Sequence, residues 1–496
     1  MTRVLSAAPI AALTFVMALM LAEAVMRVGL VPDDAVRLWA GASTAGTGDV
    51  PIGRIVAAYP SIPFLSTTLV ALVTPVGTPA PTVVAATVFA IMTAFWFVRF
   101  CDVGLPTWAA GIATILIAFH PMMLRAAVGG PADIFLAIFL FMAGSALYDL
   151  RARSTTSEVM TAALALFGLT FSHPMGAAFT FATVPFLALA VRPVLIANSA
   201  SNVIVALLFP TVFGIGAFAY VSWVFPGAGW SYFAAPAESL STWSAGVARI
   251  FGDGFTGIPA INASLVMTIV LALGAPVAIA AFFWVIRRRP LIAPPAVFAA
   301  ALITAAALTV ATGLFGDPTS LAVAAPVLAA MVMTRVPVVR ERLSIVIPLL
   351  AAGWIGGALS LALVDPATAS RVSAVLDGRA GDHERADALA VGGAMIGRDG
   401  VLVDSQNAPA VAVGRGGARG VFDPSSEPFA LALLLTRLDA PFVAIPDPQS
   451  PTGVGDRLNK AFPALYRDGA AGYRAVYQNI TWRLFERIRD KGVDND

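Results

Sequence analysis

The sequence predicts a polytopic α-helical membrane protein carrying a small α/β domain at its C-terminal end. Hydrophobic residues make up 58% of the 496 residues and charged residues only 12%, a balance that no soluble core requires. The apolar residues are gathered into runs long enough to cross a bilayer, separated by short loops whose basic residues are arginines. From Asp365 onward the pattern changes, charge rising and apolar stretches shortening to strand length.

The runs fall at roughly 7–30, 81–100, 106–122, 132–149, 158–173, 175–192, 203–225, 263–286, 293–314, 318–334 and 344–363, about eleven in all. The first contains Glu23 and Arg27 and no small-residue cleavage site, so it reads as a retained helix and not as a signal peptide. A twelfth apolar stretch, 62–76, is interrupted by Pro63 and Pro75. If it lies in the interface without crossing, Arg3, Arg99, Arg151, Arg192, Arg287 and Arg335 all fall on one side of the membrane, the side that retains positive charge. The N-terminus is then cytoplasmic and everything after Val364 is outside.

Two domains are therefore expected, a transmembrane domain over 1–364 and a soluble α/β domain over 365–496. In the second, 401–403, 410–413 and 442–445 read as buried strands, 428–438 and 456–462 as helices, and 472–486 as one or two strands. The Gly414–Gly420 stretch lacks the spacing of a dinucleotide loop and reads as a glycine turn. A formal charge of +2 gives no reason to expect nucleic acid. The single cysteine, Cys101, excludes an internal disulfide and a cysteine metal cluster, and no His-Glu-x-x-His spacing marks zinc.

The chemistry-bearing residues sit where the chain leaves the apolar runs on the predicted outer side. Asp33 and Asp34 follow the first run directly, and Arg54 and Tyr59 precede the interfacial stretch. The second outer loop carries His120, Arg125 and Asp133, and His173 stands before Pro174. Each has a plain structural alternative: a helix cap for Asp33 and Asp133, a snorkelling side chain for Arg125, a satisfied polar residue for the histidines. Trp230, Tyr232 and Trp243 would stack on a sugar or a lipid, or form an interfacial aromatic belt.

In order along the chain, a first helix ending in Asp33-Asp34, a Tyr59-Pro60-Ser61-Ile62-Pro63-Phe64-Leu65 element and an acid, Asp133, after the second outer loop resemble the GT-C glycosyltransferases. The likeness is to the branch of the protein mannosyltransferases and the lipid A aminoarabinose transferase, and it covers roughly residues 8–190. Many relatives have a second proline after the tyrosine, where this chain has Ser61, and their phosphate-side basic residue has only Arg54 as its nearest counterpart here.

The resemblance implies a GT-C-like fold and inverting transfer of a sugar from a polyprenyl-phosphate donor to an envelope lipid, polysaccharide or protein. It implies catalytic roles for Asp33, Asp34 and Asp133, with one of the first pair as base. Arg54, Tyr59, His120, Arg125, His173, Trp230 and Tyr232 are the expected substrate-binding side chains. The expected partners are the lipid-linked donor, a lipid or glycan acceptor and membrane lipids. No cofactor is assigned, a divalent metal (Mg or Mn) staying open. The arginine-, alanine- and glycine-rich composition suits a bacterial inner-membrane protein. A lipid-linked glycan flippase and a non-catalytic scaffold of an envelope complex are the competing classes.

Overall fold

The computed structural model describes residues 2–27, 33–45, 55, 58–74, 79–153, 155–224, 258–286, 289–377, 383–417, 419–424 and 426–488. Internal packing divides the chain into two compact units. The first comprises Met1–Glu23, Val56–Pro63 and Thr82–Ser373, and the second Ala24–Ile55, Phe64–Pro81 and Ala374–Asp496.

The chain is a polytopic α-helical membrane protein. Seven described helices are long and apolar enough to cross a bilayer: Ala7–Met26, Ala80–Asp102, Pro131–Ala152, Ser201–Val224, Ile292–Thr312, Pro318–Arg335 and Leu343–Val364. Two pairs reach that length only together, Thr107–Ala118 with Pro121–Gly129 and Pro259–Gly274 with Pro276–Val285, bent by 60° and 87°. Both bends have the same cause, since Pro121 and Pro276 have no N–H to continue the preceding helix and their rings clash with it. Among the described residues the count is thus seven crossings, or nine if each bent pair is one, against the eleven apolar runs. The remaining two runs are the shorter helices Thr156–Ser172 and Pro174–Ala190, divided at His173-Pro174.

Within the first unit, helices approach closely wherever a small residue permits it, as expected where lipid replaces water as the competing solvent. Gly356 is such a point: a Cβ there would stand 2.1 Å from the carbonyl oxygen of Leu273. The hydroxyls of Thr14 and Thr93 meet at 2.9 Å between the helices Thr2–Arg27 and Ala80–Asp102. Arg335 grips Asp149 with both terminal nitrogens, at 2.8 and 2.7 Å. Phe209, Phe213 and Trp223 are left exposed along one helix, an arrangement that hydrocarbon solvates and water would not.

The second unit is built on a five-stranded sheet. β1 (Val401–Leu402), β2 (Val421–Phe422), β3 (Phe442–Pro446), β4 (Tyr473–Gln478) and β5 (Trp482–Arg487) lie in the order β2-β1-β3-β5-β4. β1 pairs in parallel with β2 and β3, while β5 pairs antiparallel with β3 and β4. Side chains alternate across the sheet as the strand repeat of two demands. Val401, Ala444 and Leu484 enter one core, and Leu402, Val443, Ile445 and Phe485 enter the other.

The run 410–413 is not a strand. It forms the helix Pro409–Arg415, opened by Pro409 and closed by Gly416 in the left-handed conformation (φ 80°). Four buried apolar residues in a row fit a short helix sandwiched on several sides as well as a central strand, and periodicity cannot separate the two at that length. The sandwich is tight. A Cβ at Gly414 would lie 2.2 Å from the Leu389 carbonyl oxygen, and one at Gly392 would lie 2.3 Å from that of Val411, so these two glycines let His383–Ala394 and Pro409–Arg415 touch backbone to backbone.

One further element joins this core. The helix Asp33–Ala45 packs on Pro409–Arg415 and brings Val36, Trp39 and Ala40 into the core that contains Val411. Its apolar face is covered by the C-terminal part of the chain. Ser61–Val73 is the helix expected over 62–76, and it leaves Leu65, Leu69, Leu72 and Val73 exposed.

Candidate functional site

The ionisable residues of the first unit converge at helix ends. Asp133 lies in the first turn of Pro131–Ala152 and is not its cap, that position being Gly130. Arg125 projects from the preceding helix, Pro121–Gly129, and reaches two acids: its Nε donates to Asp365 Oδ2 at 2.7 Å, and its Nη1 stands 3.7 Å from Asp133 Oδ2. Asp365 is the residue that ends Leu343–Val364. Arg125 is therefore held by carboxylates from two sides, with its side chain 17% exposed, and does not snorkel to the surface.

The turn between the two helices is shaped for this meeting. Gly130 adopts φ 110°, and a Cβ on Gly129 would stand 2.3 Å from Asp133 Oδ2, in the space the carboxylate occupies.

His173 is the N-cap of Pro174–Thr183, its Nδ1 accepting the Met175 N–H at 3.0 Å. That bond fixes the ring: Nδ1 carries no proton, and the N–H at Nε2 is the one directed to Asp133 Oδ1, 3.3 Å away. Ser320 is a second hydrogen-bonding neighbour of the same carboxylate, so Asp133 is framed by His173, Ser320 and Arg125.

A third carboxylate adds to the cluster. Asp317 caps the 3₁₀ turn Pro318–Val323, its Oδ1 accepting from the Thr319 N–H at 2.9 Å and hydroxyl at 2.7 Å. Loss of hydration raises its pKa, against the pull of the nearby Arg125 guanidinium and the Thr319 hydrogen bonds. Asp317 and Asp365 were missed in the sequence because each stands alone, far along the chain, with no motif around it. Each does precede or follow an apolar run directly, the one signal they carry.

The other expected site residues are dispersed. Tyr59 belongs to the first unit and donates its hydroxyl proton to the Thr170 carbonyl at 2.8 Å, its ring standing 5.9 Å from that of Phe218. His120 is buried at the bend after Ala118. Its Nδ1 accepts from the Met122 N–H at 3.3 Å and its Nε2 faces the Gly274 carbonyl at 3.2 Å, so both ring nitrogens are engaged by backbone. Asp34 is exposed on the helix Asp33–Ala45, which belongs to the second unit. Arg54, Trp230, Tyr232 and Trp243 lie outside the described residues, as does the side chain of Asp33.

No family model, curated protein or solved structure matches this chain. The geometry must therefore speak for itself. Three carboxylates share one guanidinium and His173 stands against one of them, an arrangement with more acceptors than one cation satisfies. Among the described residues no three His, Cys, Asp or Glu side chains converge as a metal site. The cluster can orient a carboxylate between Arg125 and His173.

Proposed function

We propose that this protein is an integral-membrane glycosyltransferase of the GT-C type, moving a sugar with inversion from a polyprenyl-phosphate donor to an envelope lipid, polysaccharide or protein. The observation that supports the reading is the Asp133 carboxylate framed by His173 and Arg125 at helix ends. A donor whose tail stays in hydrocarbon and whose sugar lies at the interface needs its polar contacts at that depth. An alternating-access transporter would instead place such groups mid-helix near the bilayer centre. Here Asp133 is in a first turn, His173 is a cap, and Asp365 follows the last residue of a helix.

In this reading Asp33 or Asp34 takes the proton of the acceptor hydroxyl as that oxygen attacks the anomeric carbon, and the sugar–phosphate bond breaks with the electron pair leaving on the phosphate. The resemblance implies a sugar-orienting role for Asp133 and positive charge from Arg54 near the leaving phosphate. In this reading the enzyme sits in the bacterial inner membrane with its N-terminus cytoplasmic and residues 365–496 periplasmic, the orientation that the arginine distribution favours.

The test is glycan transfer from a polyprenyl-phosphate sugar in reconstituted membranes. Asp33→Asn or Asp34→Asn is expected to retain folding and donor binding while one of them cuts transfer by roughly two to four orders of magnitude. Full activity in both single variants and in the double variant eliminates the pair as the base.

A further inference from the structure

The first unit contains a second feature that the proposed transfer does not use. An apolar cavity of about 320 Å³ lies between the bent pair Pro259–Val285 and the helices Arg289–Thr312 and Ala324–Arg335. Its floor includes Leu271, Ala275, Val332 and Tyr148, all buried, and its rim includes Phe282 and Phe283, both exposed. The cavity therefore opens sideways from a membrane-spanning bundle, where the surrounding medium is hydrocarbon. The Tyr148 hydroxyl is buried and has no hydrogen-bond partner among the described residues.

We infer that this cavity binds one acyl chain of a membrane glycerolipid, with the Tyr148 hydroxyl donating to the ester carbonyl at the head of the chain. The lining selects the occupant, because the walls are carbon apart from the hydroxyls of Tyr148 and Thr268, the latter already donating to the Ser264 carbonyl at 2.8 Å, and the mouth opens on hydrocarbon. Depth selects the polar partner. Tyr148 immediately precedes Asp149, which is paired with Arg335, and Arg151 follows, so the hydroxyl stands where the helix meets the interface. Ester carbonyls lie at that level of a bilayer and offer an acceptor without a charge. The site is also remote from the Asp133 cluster: fifteen residues of one helix separate Asp133 from Tyr148, about 22 Å along its axis. The inference stands whether or not the glycosyltransferase reading does.

The test uses the full chain in vesicles of phosphatidylethanolamine and phosphatidylglycerol, with a trace of phosphatidylcholine carrying a diazirine on one acyl chain. Illumination and peptide mapping are expected to place crosslinks within residues 268–303. Ala299→Phe, which puts a ring into the cavity, is expected to reduce them at least ten-fold while labelling around the exposed Phe209 and Phe213 is unchanged. Tyr148→Phe keeps the shape and removes the donor, and is expected to reduce them about five-fold, the scale of one hydrogen bond. If Ala299→Phe does not yield a monodisperse protein, Ala278→Leu fills the same space more gently and carries the same expectation. Crosslinks spread evenly over the exposed helices, or retained in the filled variant, overturn the proposal. Displacement of the crosslink by an equal concentration of polyprenyl phosphate also overturns it, by assigning the cavity to the donor's tail.

Discussion

His173 and Asp133 face each other at 3.3 Å between Nε2 and Oδ1, with the histidine's other nitrogen tied to the Met175 N–H. The ring thus has one orientation and one tautomer, and it turns a single N–H toward a carboxylate that Arg125 approaches from the other oxygen. A carboxylate so framed acts as a fixed acceptor, and its charge can be removed without removing its frame.

Asp133→Asn is the direct probe. Arg125 keeps its 2.7 Å contact with Asp365, so the guanidinium stays paired and the thermal midpoint is expected to move by only a few degrees. Transfer is expected to fall by roughly 10²-fold or more, the scale of losing a preorganised polar group at a reacting centre. Wild-type turnover in this variant would make Asp133 a structural ion-pair partner alone.

Gly129→Ala separates position from charge. The added methyl would stand 2.3 Å from Asp133 Oδ2 and must push the carboxylate away from Arg125 Nη1. The activity loss is expected to approach that of Asp133→Asn although every charged residue is retained. A variant with normal transfer would show that the alignment of Asp133 does not matter.

His120→Ala is expected to behave in the opposite way. Removing the ring leaves the Met122 N–H and the Gly274 carbonyl unpaired and opens a void against Gly357, where a Cβ would have met the ring at 2.4 Å. Stability is expected to fall by about 2–4 kcal/mol with KM for the donor unchanged, as measured by thermal unfolding and initial rates. A raised KM with unchanged stability would return His120 to the substrate.

Asp456 gives the second unit a pH dependence. It is fully buried, and burial together with the nearby Asp404 carboxylate pushes its pKa up to about 7, against its cap bond to the Asn459 N–H and the charge of Lys460. The folded state therefore holds this proton more tightly than the unfolded chain does. Stability from this group is complete below about pH 4, is lost as pH rises through 7, and is lowest above it, by roughly 4 kcal/mol at most. Asp456→Asn keeps the Oδ1 cap and removes the titration, so unfolding of the second unit, followed at pH 5 and pH 8, should flatten in the variant. An unchanged pH profile would place the dependence elsewhere.

The membrane helices were legible because length and hydropathy alone decide them: among the described residues, each of the eleven apolar runs is mainly helical. What sequence does not carry is where such a run is broken, as the 87° bend before Pro276 and the short pair flanking His173 show. In the second unit, 442–445 and 472–486 proved to be strands and 428–438 largely a helix, whereas 410–413 became a helix and the two-residue β2 left no pattern long enough to read. Asp133, Arg125 and His173 were found because each interrupts an apolar stretch on the predicted outer side. Asp317 and Asp365 share that property, but their meeting with Arg125 is a tertiary fact that spacing does not encode. The role of Asp33–Ala45 was hidden for the same reason, its apolar face matching an interfacial helix in composition while it packs on residues more than three hundred positions away.

That packing fixes an order of events during synthesis. Val36, Trp39 and Ala40 leave the ribosome early, while their cover at Pro409–Arg415 follows about 375 residues later, roughly 20–75 s at ordinary elongation rates. Throughout that interval the helix must be sheltered by the bilayer surface or a chaperone. A nascent chain stopped before residue 409 lacks the cover for this apolar stripe.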